Sequence, residues 1–163
     1  MVLRPLTVAD SSAIAAALSC WDVTRWLSQP PFPYTLSDAE AFIATVKDDE
    51  TSPHWALDRG AGLIGVISVK PELGYWLAQP HHGQGLMTEA ANAAVDWYFT
   101  DHTDPIMSSH FAGNATSRTI LTKLGFINTH TETIIPASSD APVTLQRMIL
   151  TRANRHVLRS ATQ

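Results

Sequence analysis

Short apolar segments that alternate with polar residues, and two longer ones with helical spacing, outline the fold of this chain. Val2–Leu6 reads as a strand, and Thr7 or Asp10 is placed to cap a helix carrying the strong helix formers of Ala13–Leu18. Ser37 starts a second helix that runs to about Lys47, with Glu40 as its capping-box partner. His54–Asp58 and Leu63–Val69 form a hairpin around a turn at Arg59–Gly62, and Pro71 leads into the next strand. The stretch from Glu72 to Phe99, ELGYWLAQPHHGQGLMTEAANAAVDWYF, changes period in its middle. Its first half alternates and is aromatic, as a strand is; its second half sets Leu86, Ala90, Ala94 and Tyr98 on one helical stripe. A polar loop at Asp101–Pro105 then delivers a strand at Ile106–Phe111. Asn114 caps a further helix that Gly125 stops, and the strands Phe126–Ile135 and Val143–Thr151 follow, joined by Pro136–Pro142. The segment Trp21–Tyr34, with Pro30, Pro31 and Pro33, resists regular structure; its aromatics either face a ligand or staple a long loop to the core. The predicted order is β-α-α-β-β-β-α-β-α-β-β, an α/β (α+β) arrangement.

The change of period falls on HHGQG. A strand that breaks at Pro80, turns through Gly83 and Gly85 and opens a helix aims several free backbone N–H groups at one point, which suits an anion such as phosphate. The same turn also serves a chain that merely has to reverse tightly. The sequence contains neither GxxxxGK[ST] nor GxGxxG, so it carries no P-loop and no dinucleotide fingerprint.

With 163 residues, 45% of them hydrophobic, the chain is long enough for one ordinary core and short for two. A single domain over 1–152 is expected, followed by a tail over 153–163. Arg152, Arg155 and Arg159 mark this end as basic and solvated or frayed. A net charge of −4 argues against a nucleic-acid coat. Cys20 is the only cysteine, which rules out an intramolecular disulfide, and it reads as a small buried hydrophobe. The seven histidines are scattered, and neighbouring His81 and His82 project apart, so no metal site is expected. The apolar run Ala13–Leu18 is too short to span a bilayer and follows no basic leader, so the protein is expected to be soluble and cytoplasmic, without membrane attachment.

GYWLAQPHHGQGLMTEA resembles the signature of the GCN5-related N-acetyltransferases (GNAT), in which a [Q/R]xxGx[G/A] turn cradles the pyrophosphate of acetyl-coenzyme A (acetyl-CoA). Within that superfamily the stretch is most similar to the RimJ/RimL-like ribosomal-protein acetyltransferases. NATSRTILTKLGF, from Asn114 to Phe126, resembles that group's N-x-x-S…K-x-G-F segment at the expected distance downstream. The likeness runs from about Leu3 to Arg152, with His82 standing where the signature has Gln or Arg and Met87 where it has Gly or Ala. It implies a mixed, mostly antiparallel sheet flanked by helices, whose strands before and after the long helix splay apart. The pantetheine arm of acetyl-CoA enters that gap and pairs with the main chain around Leu77. The implied cofactor-binding residues are Leu77, His82, Gly83, Gln84, Gly85, Met87 and Thr88, with Asn114 on the pantetheine arm.

The resemblance implies transfer of an acetyl group to a primary amine by direct attack on the thioester. The acceptor must be neutral, and an α-amine with a pKa near ~7.8 is easier to deprotonate than a lysine near ~10.4, by roughly 3.5 kcal/mol at neutral pH. The first acceptor expected is therefore a protein or peptide N-terminus, and the second a small amine. The mildly acidic composition is compatible with either. Glu72, which matches the Glu of the group's ELGYW pattern, is the first candidate for the proton acceptor, working through water; otherwise it is an exposed strand-end carboxylate. His110 is the second candidate and Glu132 the third. Many of these enzymes protonate the departing thiolate with a tyrosine two residues before the lysine of the second motif; Leu121 stands there, and the pattern assigns Ser117 as substitute. A serine in a helix's first turn also serves simply to solvate the helix start. The competing expectation is an acetyl-CoA-binding sensor without turnover. Either a monomer or a homodimer is compatible with the sequence.

Overall fold

The computed structural model describes residues 1–47, 49, 53–70 and 72–160; Pro71 and the side chains of Leu158, Arg159 and Ser160 lie outside that description. Strand β1 (Val2–Pro5) leads through a 3-10 turn into α1 (Ser11–Leu18), then α2 (Trp21–Thr24) and α3 (Leu36–Val46). Strands β2 (His54–Asp58), β3 (Leu63–Ser68) and β4 (Glu72–Leu77) follow, then α4 (Leu86–Asp101), β5 (Ile106–Phe111), α5 (Ala115–Leu124), β6 (Ile127–Ile134), β7 (Val143–Leu150) and α6 (Arg152–Ser160). The strands make one sheet in the order β1-β2-β3-β4-β5-β7-β6. Every neighbouring pair is antiparallel except β4 and β5.

The alternation seen in sequence divides the side chains of the sheet between two cores. Leu73 and Leu77 of β4, Ile106 of β5 and Met148 and Leu150 of β7 pack with Ala91 and Val95 of α4 and Leu121 and Leu124 of α5. On the other side, Ala56 and Val66 pack with Ile14 and Leu18 of α1 and Ala39 and Ile43 of α3. Burying each of these larger aliphatic side chains is worth about 1.5–3 kcal/mol.

Three sequence expectations need correction. The second helix is capped by Thr35, whose hydroxyl accepts from Asp38 N at 3.2 Å while Asp38 Oδ2 accepts from Thr35 N at 2.8 Å. The box therefore starts two residues before Ser37, because Thr35 has the extended backbone a cap requires (φ −111°, ψ 167°). The segment Trp21–Tyr34 contains the helical turn α2, ahead of its prolines. The basic end is not solvated throughout: α6 continues from Arg152, which is exposed, and Arg155 is buried. Its Nη2 donates to Asp96 Oδ1 at 2.9 Å and to Asn92 Oδ1 at 2.7 Å, both on α4. Two α4 side chains supply what solvent would otherwise give the guanidinium.

Candidate active site

Strand β4 is built to part from β5. The two pair only at Glu72↔Met107 and Leu73↔Ser108, whereas β4 stays paired with β3 as far as Leu77↔Gly65. Ser108 fixes the last point of contact by donating its hydroxyl to Leu73 O at 2.8 Å. Ala78 N donates to Ile64 O at 2.8 Å. Alternation along an antiparallel pair then turns the main chain of residues 76 and 78 toward β3, and that of Tyr75 and Leu77 toward the gap.

Past Leu77 the chain makes a 3-10 turn at Gln79–His81, and Gly83 (φ 73°) and Gly85 (φ 76°) reverse it in the left-handed region that glycine favours. Gly85 is the N-cap of α4 and brings no side chain to cap the helix, so the first-turn N–H groups of Leu86, Met87 and Thr88 have no side-chain acceptor there. A Cβ at Gly83 or Gly85 would meet nothing within 4 Å, which marks open space over the turn. The turn fits a pyrophosphate held by main-chain N–H groups and the helix dipole. Leu86, absent from the sequence-based candidates, contributes an N–H by its position as the first helical residue.

The side chains of the turn take other roles. His82 Nε2 lies 2.7 Å from Leu77 O; the carbonyl accepts, which fixes the Nε2–H tautomer and ties the turn back to the end of β4. Met87 is buried in the core under α4. Gln84 Nε2 donates to Pro80 O at 3.2 Å, and its Oε1 accepts from Arg59 Nη1 at 3.3 Å. Arg59, in the β2–β3 turn, thus brings to the cradle a positive charge that the motif does not contain.

The proposed acid–base residues divide between the two faces of the sheet. Glu72 is aligned with Met107, and Arg147 of β7 with Ser109 of β5, so both side chains project from one face. Arg147 Nη1 donates to both Glu72 oxygens at 2.8 and 2.9 Å, and Arg147 also holds Glu132 Oε1 at 2.7 Å. Two carboxylates thereby share one guanidinium, and Glu72 is a partly exposed strand-end carboxylate with an arginine partner. His110, an odd number of residues from Met107, projects from the opposite face. It is 9% exposed, with Nδ1 3.0 Å from Phe111 O and Nε2 without a partner among the described residues. Donation from Nδ1 to the carbonyl leaves Nε2 as a bare acceptor. Glu72 and His110 therefore do not converge.

Asn114 caps α5 by accepting from Ser117 N at 3.0 Å. The Ser117 hydroxyl is 2.9 Å from the phenol of Tyr75, across from α5 on β4. Burial pushes the Tyr75 phenol up to about 12, with the bond to Ser117 acting weakly the other way. Sequence alone offers no link between residues 42 apart; only the turn of β4 toward α5 brings them together.

Two further observations bound the chemistry. Among the described residues no cluster of His, Cys, Asp or Glu is arranged to hold a metal, and no helix is long and apolar enough to cross a membrane. A surface recess between α4 and α6, lined by Phe99, Thr100, Arg152 and His156, lies at the far end of α4 from the glycine turn and is separate from this site.

The fold is shared with solved acetyltransferases of low sequence identity. Mycobacterium smegmatis RimJ in complex with CoA-disulfide aligns with a TM-score of 0.78 at 16% identity, covering 98% of this chain and 88% of that one. Ribosomal-protein-alanine N-acetyltransferase from Brucella melitensis aligns at 0.72 and 17% identity, covering 93% and 99%. A spermidine N-acetyltransferase SpeG chimera from Vibrio cholerae and hSSAT aligns at 0.75 and 17%, covering 96% and 99%. No curated protein sequence matches the chain. The family model described as "Acetyltransferase (GNAT) domain" matches residues 1–127, which include the parted strands, the glycine turn and all of α5. The chain belongs to the GNAT acetyltransferase family.

Proposed function

We propose that the protein is an acetyl-CoA-dependent N-acetyltransferase of the RimJ/RimL-like group, acting on a primary amine and first of all on a protein or peptide N-terminal α-amine. The observation that carries this reading is the parting of β4 from β5 beside a left-handed glycine turn that opens α4. The bound acetyl-CoA supplies an activated acetyl thioester. Main-chain N–H groups of Gly85 to Thr88 would hold its pyrophosphate, with Gly83 and Gln84 shaping the turn and Arg59 adding charge. The main chain of Tyr75 and Leu77 would pair with the pantetheine arm, and Asn114 would hydrogen-bond it from α5.

The acceptor would approach over the face that carries Glu72, Arg147 and Glu132. Arg147 holds both Glu72 oxygens, so this carboxylate would take up the amine's proton through water rather than by direct contact. Ser117, on the other face, would hydrogen-bond the departing sulfur. His110 Nε2 is on that same face, buried and without a partner among the described residues. An N-terminal substrate is favoured because the candidate bases among the described residues are a buried histidine and carboxylates engaged by Arg147, and an α-amine needs the least deprotonation work. A panel of peptides and small amines assayed for release of free coenzyme A tests the reading. Turnover with free-N-terminus peptides supports it; turnover with small amines alone reassigns the acceptor, and binding of acetyl-CoA with no turnover on any amine leaves a sensor.

A further inference from the structure

The contact between Tyr75 and Ser117 has a chemical use. Resting on the reading of Ser117 given above, we infer that Tyr75 is a positioning residue: its phenol donates to Ser117 Oγ and leaves the serine's own proton free to hydrogen-bond the departing sulfur. The two oxygens are 2.9 Å apart, while the next acceptor for the phenol, Ser117 O, is 3.4 Å away. Asn114 already fixes the serine backbone through the N–H at 3.0 Å, so the hydroxyl retains only its own rotation. Among the described residues Tyr75 is the only side chain that bonds it. The phenol is the stronger donor of the two hydroxyls, which sets the direction of the bond. Tyr75 lies on the part of β4 that has left β5, with its ring on the α4 and α5 side, beside the gap.

The ordering of acidities defines what the pair does. When the amine attacks, a C–N bond forms; when the adduct collapses, the C–S bond breaks and its electron pair stays on sulfur. A thiol of the cysteine type has a pKa near ~8.5, well below a serine hydroxyl and below the Tyr75 phenol at about 12. Neither hydroxyl therefore surrenders its proton to sulfur. The pair stabilises the thiolate as hydrogen-bond donors, and the proton that ends on sulfur is the one the amine nitrogen releases, carried by water. The phenol that the second motif lacks at Leu121 is thus supplied from β4, acting one bond further back.

The test is Tyr75→Phe beside Ser117→Ala and the double variant, each assayed with acetyl-CoA and with its selenoester analogue, whose selenolate leaves without hydrogen-bond help. The expected result for Tyr75→Phe is a kcat about tenfold lower with the thioester, a KM for acetyl-CoA within about twofold, and a kcat with the selenoester close to the parent enzyme. The double variant should be no slower than Ser117→Ala, because the tyrosine acts only through the serine. An equal loss on both esters overturns the inference and reduces Tyr75 to packing. If Ser117→Ala is slow and Tyr75→Phe is normal, the inference fails and the role of Ser117 stands. If Ser117→Ala has parent kcat, the role of Ser117 fails and the inference with it. Should Tyr75→Phe not fold, Tyr75→3,5-difluorotyrosine keeps the shape with a more acidic phenol. The alkaline limb of kcat should then move to lower pH, and an unmoved limb overturns the inference.

Discussion

Gly85 combines a left-handed backbone at φ 76° with open space where a side chain would be. A valine there is strained by its β-branch and projects into the volume that a pyrophosphate needs, while touching nothing in the protein. Gly85→Val is expected to weaken acetyl-CoA binding at least tenfold by calorimetry and to lower the melting temperature by a few degrees. Unchanged affinity would remove the cradle from this turn. The sequence makes this residue legible, because a glycine pair between a strand period and a helix period leaves few other local structures. It does not make His82 legible in the same way. The signature position suggests a side chain directed at phosphate, yet the ring turns back to Leu77 O, an acceptor five residues away that a strand followed by a 3-10 turn brings within reach. Tyr75 is further from sequence reasoning still, since a strand aromatic looks like core until its hydroxyl is seen to have a partner.

Helix α6 shows where element prediction from pattern fails. RANRHVLRS is dominated by polar residues, and its Val157 is exposed at 71%. What docks it is a set of long-range arginine contacts: Arg155 is held by Asp96 and Asn92, and Arg152 donates to Phe99 O and His102 O. Asn92 Nδ2 donates to Thr88 O at 2.7 Å, so the same bonds continue to the first turn of α4, where the cradle lies. Removing one partner of a buried, hydrogen-bonded ion pair costs about 3 kcal/mol when both are fully buried. Asp96 is partly exposed, which reduces the expectation to roughly 2 kcal/mol. Arg155→Met should lose about that much in urea denaturation with an unchanged m-value, and a loss under ~0.5 kcal/mol would mean that α6 docks by other contacts. The strands and α4 were legible because their periods are local. The start of α3 was half legible, since both Thr35 with Asp38 and Ser37 with Glu40 fit a capping pattern and only the backbone angles separate them.

For the whole molecule, stability and activity should respond to pH through different groups. Hydrogen bonds from Arg4 hold the Asp10 carboxyl below the usual carboxylate range, and this pair joins β1 to the turn before α1. A depressed native pKa contributes stability that is present above the unfolded value near ~3.9 and is lost as pH falls toward the native value. Asp10→Asn should therefore be less stable than the parent at neutral pH, with the gap closing below about pH 4; a gap that stays constant would show that charge is not what the pair contributes. Acceptor choice belongs to the same scale because it depends on a whole face of the sheet. Glu72 and Glu132 share Arg147, so both carboxylates of this face are engaged by one guanidinium. With water as the immediate proton carrier, the rate follows the fraction of amine already neutral. An α-amine near pKa ~7.8 is about one-seventh neutral at pH 7, and a lysine side chain near ~10.4 less than one-thousandth. Peptides with a free N-terminus should then be acetylated faster than Nα-blocked lysine peptides at pH 7, by two orders of magnitude at equal binding. The first rate should level off above about pH 8, while the second should keep rising tenfold per pH unit to about pH 10. Equal turnover of the two peptides at pH 7, or a lysine rate that levels off near neutrality, would require a base that lowers the amine pKa on the enzyme and would shift the assignment away from N-terminal substrates.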